Sequence, residues 1–422
     1  MNKNLIKGIA VAVVAIGLIS FVCYLIFGIK RGWVKTDAGT YYYEHGEAYS
    51  GLKTMPDGTV RYFDPATNIM VTGEADIEGN KYLFDSEGVM LTGFQETNSV
   101  KRYYNPENGM MVKGAFQNEN GKYYADPETG AIATGCTVID GKQYYYDTET
   151  GIMKTGWVEA NGGKYYFDET TGEGIDGIIE LDGAKYGFLG GLMITNKRAT
   201  ADKHLYYFGE DGKVYREIDG TKPMVALTYD DGPSQYTDAI LDVYEQYGAR
   251  CTFFIVGDRI NWNEDVVRRE AELGMEQASH TYGHDRLTSL DANGIVETLK
   301  KTDDELIRVT GKPATCLRPP EGRFNDVVQA NCGFPLILWS IDSQDWKSRN
   351  ADSVCGRIIG KVQDGDIVLM HDLYQSTADA TVRIVPALID AGFQLVTVEE
   401  MGILKLDGGL VDGTAYYSIP NR

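Results

Sequence analysis

Between Gly32 and about Arg216 the chain repeats itself roughly every twenty residues, each copy carrying an aromatic pair or triplet followed by an acid, glycine and other turn residues. The aromatic pairs stand at Tyr42-Tyr43, Tyr62-Phe63, Tyr103-Tyr104, Tyr123-Tyr124, Tyr145-Tyr146, Tyr166-Phe167 and Tyr207-Phe208, with degenerate copies at Tyr82-Leu83-Phe84 and Tyr186-Gly187-Phe188. So short a period admits a stacked array and excludes a single globular core for this half. Stretches such as Gly141 to Asp147 followed by Gly151 to Gly156 predict one β-hairpin per repeat, turning at Gly and Asp. A lone hairpin buries too little surface to be stable, so neighbours must share their aromatic faces. The expectation is a β-hairpin repeat solenoid over residues 32–217.

Near Ile218 to Pro223 the aromatic period stops and longer elements alternate. Helices are predicted at Asp238–Tyr247, Glu264–Leu273, Gly294–Thr310, Asn325–Asn331, Ser353–Val362 and Ala378–Ala391. Between them lie strand-like runs at Val225–Tyr229, Thr252–Val256, Met275–Ser279, Thr315–Leu317, Leu336–Ile341, Asp366–Met370 and Gln394–Val398. That alternation implies a parallel sheet, closed or nearly so. The apolar run Met224 to Leu227 ends abruptly in Thr228-Tyr229-Asp230-Asp231-Gly232-Pro233, the mark of a buried strand whose tip opens onto a site. Two adjacent carboxylates do not both stay ionised cheaply unless a cation or donor holds one. His280-Thr281-Tyr282-Gly283-His284 follows another strand-like run, and two imidazoles with one Asp leave open positions on a metal for water and substrate. Three more polar groups follow apolar runs: Arg318-Pro319-Pro320-Glu321-Gly322, Asp342-Ser343-Gln344-Asp345-Trp346, and His371-Asp372 after Ile367 to Met370. In barrels of alternating strand and helix, active residues gather where strands end.

Those five tips resemble, across roughly Met224 to Leu404, the five motifs of the polysaccharide deacetylase family, carbohydrate esterase family four. The resemblance implies an α/β distorted (β/α) barrel and a metal-dependent N-deacetylase. By it, Asp231, His280 and His284 hold a divalent cation, Zn2+ first, with Co2+, Mn2+ or Ni2+ as alternatives. Asp230 is then the general base and His371 the general acid, Asp342 holds the His371 imidazole, and Arg250 keeps Asp230 ionised. Arg318, Pro320, Glu321, Gly322, Trp346 and Leu369 line the substrate groove, with the backbone N–H of Glu321 facing the developing oxyanion. Glu321 departs from the family pattern, in which a tyrosine follows Arg-Pro-Pro. The repeats resemble the choline-binding or glucan-binding repeats of bacterial surface proteins, with Gly-Trp kept at Trp33 and Trp157 and phenylalanines near that place at Phe94 and Phe116. This implies attachment to a cell-wall glycan or teichoic acid. A choline cage depends on several aromatic faces, tryptophan best, so the missing indoles count against choline itself.

At 422 residues and 43% hydrophobic content the chain can bury several cores, and its formal charge of -21 excludes nucleic acid as a partner, because phosphate binding needs a basic face. From Gly8 to Ile29 no residue is charged, a stretch of 22 that reaches across a hydrocarbon layer of ~30 Å as a helix. A single-pass membrane anchor with the enzyme outside the cell is therefore expected, and the chain divides into 1–31 tip and anchor, 32–217 repeats, 222–405 catalytic domain and 406–422 tail. Cys251 and Cys316 read as core thiols, since no cysteine spacing suggests a disulfide framework. Three activities compete: N-deacetylation of an N-acetylglucosamine-containing cell-wall polysaccharide, most simply peptidoglycan; removal of O-acetyl groups from a polysaccharide; and wall binding by a catalytically weak barrel.

Overall fold

The computed structural model describes residues 30–420. The expected membrane helix over 8–29 lies outside them, and among the described residues no helix is long and apolar enough to cross a membrane. The chain divides into two compact units, one holding residues up to Asp176 with Phe188–Met193, the other holding Gly177–Gly187 and Ile194 onward.

In the first unit each repeat is one antiparallel hairpin, beginning with Gly32–Thr36 against Gly39–Glu44. Successive hairpins are stitched by backbone. The N–H groups of Met70, Met90 and Met111 donate to the carbonyls of Thr40, Val60 and Lys81, each one hairpin back. The methionine then packs where the next turn passes closely: a Cβ on Gly88 would lie 2.5 Å from the Met70 sulfur, and one on Gly109 would lie 2.3 Å from that of Met90. Both glycines also have a left-handed backbone, with φ of 76° and 75°. Glycine alone meets both demands. Beyond these contacts the described residues of the unit form small clusters, such as Tyr123, Ala125 and Ile132 with Phe94, Tyr103 and Phe116 packed around them.

The second unit is built on parallel strands: β1 (Met224–Asp230), β2 (Thr252–Ile255), β3 (Glu276–Ser279), β4 (Leu336–Ile337), β5 (Ile341–Asp342), β6 (Ile367–His371), β7 (Gln394–Leu395) and β8 (Ala415–Tyr416). Their order is β3-β2-β1-β6-β5, with β7 pairing the start of β1 and β4 pairing β8. Leu317 carries the sheet from β3 to β4 through single parallel bridges to Ser279 and Leu336, and Ser418 bridges back to Asp366 at the foot of β6. The result is an irregular, nearly closed ring. Helices at Thr237–Tyr247, Glu264–Glu272, Ala292–Thr310, Ala351–Ile358 and Gln375–Asp390 alternate with the strands. Residues of β1 are buried without exception, as a strand covered on both faces requires.

Two expected boundaries move. The tail 406–422 is no appendage, because β8 belongs to the sheet and Ile419 is buried in the core with Met224, Ala226 and Val396. The last repeats join the catalytic unit: Leu205 and Ile218 enter that same core, and Tyr207 and Arg216 reach Glu400. The described cysteines are all free, with Cys251 and Cys316 wholly buried.

Candidate active site

Strand register levels the functional tips. Asp230 pairs with Phe254 on one side and His371 on the other, so the expected base and acid leave neighbouring strands side by side. His280 follows directly on β3, and Arg318 N–H donates to the Ser279 carbonyl, setting the next tip beside it.

Asp231, His280 and His284 offer ligand atoms that lie within 4.8 Å of one another. The Asp231 Oδ1 is 3.4 Å from His280 Nε2 and 3.3 Å from His284 Nε2. That oxygen is buried with no hydrogen-bond partner, which is costly unless something positive occupies the space. The Nδ1 of His280 lies 2.7 Å from the Arg318 carbonyl, so its N–H is directed there and Nε2 presents a lone pair to the centre. Burial pushes the His280 pKa down to about 3, against the pull of Asp231, leaving the neutral ligand form. The donor set thus fits a divalent cation of the zinc type.

Two expected roles pass to other residues. Asp342 does not hold His371: its carboxylate accepts from the Gln344 N–H at 2.8 Å and finishes a turn. Asp345, wholly buried at the start of the short helix Asp345–Ser348, holds it instead. Its Oδ1 is 2.9 Å from His371 Nδ1, while Oδ2 accepts from the His371 N–H at 2.7 Å and from Thr377 Oγ1 at 2.7 Å. With a further bond from the Trp346 N–H at 2.8 Å, these contacts fix the carboxylate and hence the imidazole. Burial disfavours the charged ring of His371, but the bond to Asp345 and the charges of Asp345, Asp230 and Asp231 outweigh it and raise the pKa to about 9. The imidazole is therefore protonated at neutral pH.

Arg250 likewise is not beside Asp230. It pairs with Glu400 at 2.9 Å, near the foot of the sheet. Arg318, expected as a groove wall, is wholly buried and takes that place, with Nη1 2.6 Å from Asp230 Oδ1 and 2.7 Å from Thr228 Oγ1. Its other nitrogens donate to the carbonyls of Ile337 and Leu338, and its guanidinium lies 4.0 Å over the ring of Phe254. Burial raises the Asp230 pKa, while Arg318 and His371 draw it back. A carboxylate so balanced is a stronger base than a solvated one, yet keeps a cation to ionise it.

Around this centre, Pro320 and Leu369 are buried, and Gly322 has φ of 66° with room for no side chain, since a Cβ would meet Trp339 at 2.8 Å. Trp346 is 48% exposed and so is a rim residue rather than core. Glu321 also has a left-handed backbone, φ 61°, and its carboxylate is held by Arg286 and Arg323. Trp339 and Tyr374, whose ring centre is 6.1 Å from that of His371, join the site without a signal in the sequence beyond their aromatic character. Asp345 did have one, as the second acid of Asp342-x-x-Asp345-Trp346.

The family profile described as polysaccharide deacetylase matches residues 217–336, and that described as choline-binding repeat matches 71–116 and 133–175. Among curated relatives, the peptidoglycan-N-acetylmuramic acid deacetylase PdaC of Bacillus subtilis (strain 168) is 34% identical over 189 residues, 44% of this chain and 40% of that protein. The peptidoglycan-N-acetylglucosamine deacetylase PgdA of Listeria monocytogenes serotype 1/2a (strain 10403S) is 36% identical over 190 residues, 45% of this chain and 41% of that protein. The chain therefore spans about two fifths of the length of these relatives. A shorter peptidoglycan-N-acetylglucosamine deacetylase of Bacillus cereus (strain ATCC 14579) is 32% identical over 199 residues, which cover 45% of this chain and 93% of that one. On that near-complete match, and on a site assembled from all five strand tips, the chain belongs to the polysaccharide deacetylase family.

Proposed function

We propose that the protein is a divalent-metal-dependent N-deacetylase that removes acetyl groups from N-acetylhexosamine residues of a cell-wall polysaccharide, most simply peptidoglycan. What carries this reading is the pairing, on adjacent strands, of an arginine-held carboxylate with a carboxylate-held imidazole beside the Asp231–His280–His284 triad. An acetamide needs help at both ends, because its carbonyl is a poor electrophile and its nitrogen a poor leaving group. A cation held by Asp231, His280 and His284 would polarise the carbonyl and lower the pKa of water. Asp230, kept ionised by Arg318, takes the proton from the attacking water. The backbone N–H of Glu321 donates to the developing oxyanion, a role any residue but proline can fill. His371, protonated and aimed by Asp345, gives its proton to the departing nitrogen, releasing a free amine and acetate. Leu369 and Trp346 wall the acetyl methyl.

The repeats serve as the attachment to wall glycan or teichoic acid, and the uncharged stretch 8–29 as a single-pass anchor that leaves the enzyme outside the cell. Names of relatives that act on peptidoglycan, and the match to choline-binding repeats, support the wall as the setting. Acetate release from purified sacculi, from N-acetylglucosamine oligomers and from O-acetylated xylan tests the activity. Release from xylan alone would replace the amide reading by the ester one, and release from none with wall binding intact would leave a binding protein.

A further inference from the structure

The rim beside His284 carries a charge arrangement that the chemistry of an acetamide does not require. Arg286, two residues beyond that ligand, directs Nη2 at both oxygens of Glu321, at 2.8 and 2.9 Å. Arg323 approaches the same carboxylate from the other side, with Nε 3.1 Å from Oε2. The Arg286 hydrogen bond is the main reason that the Glu321 carboxyl pKa is lowered. One carboxylate thus stands between two guanidiniums.

The other carboxylate next to Arg286 in sequence is turned away from these guanidiniums. Asp285 is committed inward, accepting from Thr298 Oγ1 at 2.5 Å and the Gly283 N–H at 3.2 Å. The three rim side chains are 52%, 43% and 59% exposed for Arg286, Glu321 and Arg323, so a ligand can reach them. Among the described residues Arg323 makes no side-chain hydrogen bond through its two terminal nitrogens, which form the edge that grips a carboxylate in the two-pronged manner. A guanidinium pair with one resident carboxylate is a site where a second carboxylate can dock, either beside Glu321 or in exchange for it. An overall acidic chain, at -21, has no general need for such a spot at the mouth of its active site.

We propose that Arg286, Glu321 and Arg323 form a specificity clamp for a carboxylate carried by the substrate close to the reacting acetamide, so that the preferred polymer is an acidic N-acetylhexosamine glycan rather than a neutral one. This rests on the N-deacetylase reading above. A lactyl ether on the sugar or an acidic neighbouring residue both supply that chemistry. Glu321 then has a reason to replace an apolar ring: it holds the two guanidiniums apart and preformed while no substrate is bound.

The test uses the full chain, zinc-loaded, on three substrates: neutral N-acetylglucosamine oligomers, peptide-free glycan strands with free lactyl carboxylates, and the same strands with those carboxylates amidated. The clamp predicts kcat/KM highest for the free acid, with a fall of about fivefold on amidation, the scale of a partly exposed ion pair, appearing in KM and shrinking at high salt. Arg323→Gln and Arg286→Gln each reduce the acid-to-amide ratio towards one, and Glu321→Gln, which unmasks the positive charge, does not. Equal kcat/KM for acid and amide, or a ratio untouched by both arginine variants, overturns the clamp while leaving the deacetylase reading standing. No acetate from any substrate removes the deacetylase reading itself.

Discussion

The two units of this chain hold together by opposite means. In the repeats each stitch is local: a methionine N–H back to the preceding hairpin, a sulfur against a glycine, a lysine over a ring, as with Lys164 Nζ 4.3 Å from the Trp157 ring centre. In the catalytic unit the contacts are long-range: Arg318 ties Thr228, Asp230, Ile337 and Leu338 together, and the core clusters gather residues from β1 to the tail. A solenoid loses stability one neighbour at a time, whereas a closed sheet loses it all at once. The comparison teaches why chemistry resides in one unit and not the other: charged groups buried without water need partners that only a cooperative core can hold in place.

The largest expected effect is on the metal triad. Asp231→Asn should lower kcat/KM roughly 10³-fold or more, because transition-state charge stabilisation of several kcal/mol is lost with the cation. Metal content measured by plasma mass spectrometry should fall with it, and chelation of the unchanged protein should abolish activity that added Zn2+ restores. Asp230→Asn should cost about 10²- to 10⁴-fold with metal retained. Equal metal loss in both variants would erase the distinction between ligand and base.

Next in size is Glu400, 1% exposed and shared by Arg216, Arg250 and Tyr207. Glu400→Gln leaves the buried Arg250 and the partly buried Arg216 without their counter-charge and should destabilise the catalytic unit by about 3–5 kcal/mol. In calorimetry the transition of that unit should drop while the repeat transition stays. A shift of both would show that the two units melt as one.

Asp345→Asn should reduce turnover about 10²-fold, and Asp342→Asn should change it by no more than about twofold. The pH profile adds a sign. His371 must be protonated to act, so activity present at neutral pH is lost as pH rises through about 9; removing the Asp345 charge lowers that pKa and brings the alkaline limb down. An alkaline limb that stays put in the Asn variant would detach His371 from the acid role.

Smallest is Lys164→Gln, which removes a ring–cation contact worth about 0.5–1 kcal/mol at an exposed site. Its effect should be confined to the repeat transition and leave kcat unmoved.

Much of this was legible because it is written in short stretches. An aromatic period fixes the hairpins, and an apolar run ending in charge fixes a strand tip, so Asp230, Asp231, His280, His284 and His371 could be read directly. What failed needed three dimensions. Asp342 and Asp345 are three apart on one motif, and the choice between them turns on Gln344 adopting a left-handed backbone, φ 51°, that starts a helix and swings the second acid under His371. Arg250 and Arg318 are both strand-adjacent arginines; which one meets Asp230 depends on which end of the sheet each occupies. The place of the last repeats was hidden for a similar reason, since Leu205 and Ile218 fit a hairpin pattern yet face the core of the catalytic unit.

Arg318 has a consequence for descent. The same guanidinium that faces the proposed base also ties β1 to the end of β4 from a fully buried position, so it serves folding and the site at once. A lineage that abandoned hydrolysis and kept the barrel for binding could shed the half-exposed His284 at little structural cost. It could not drop Asp230 alone, for that would strand a buried cation. Inactive descendants should therefore either keep the Asp–Arg pair as a fossil of catalysis or exchange both residues together for apolar ones of matching volume, and intermediates with only one of the two should be rare.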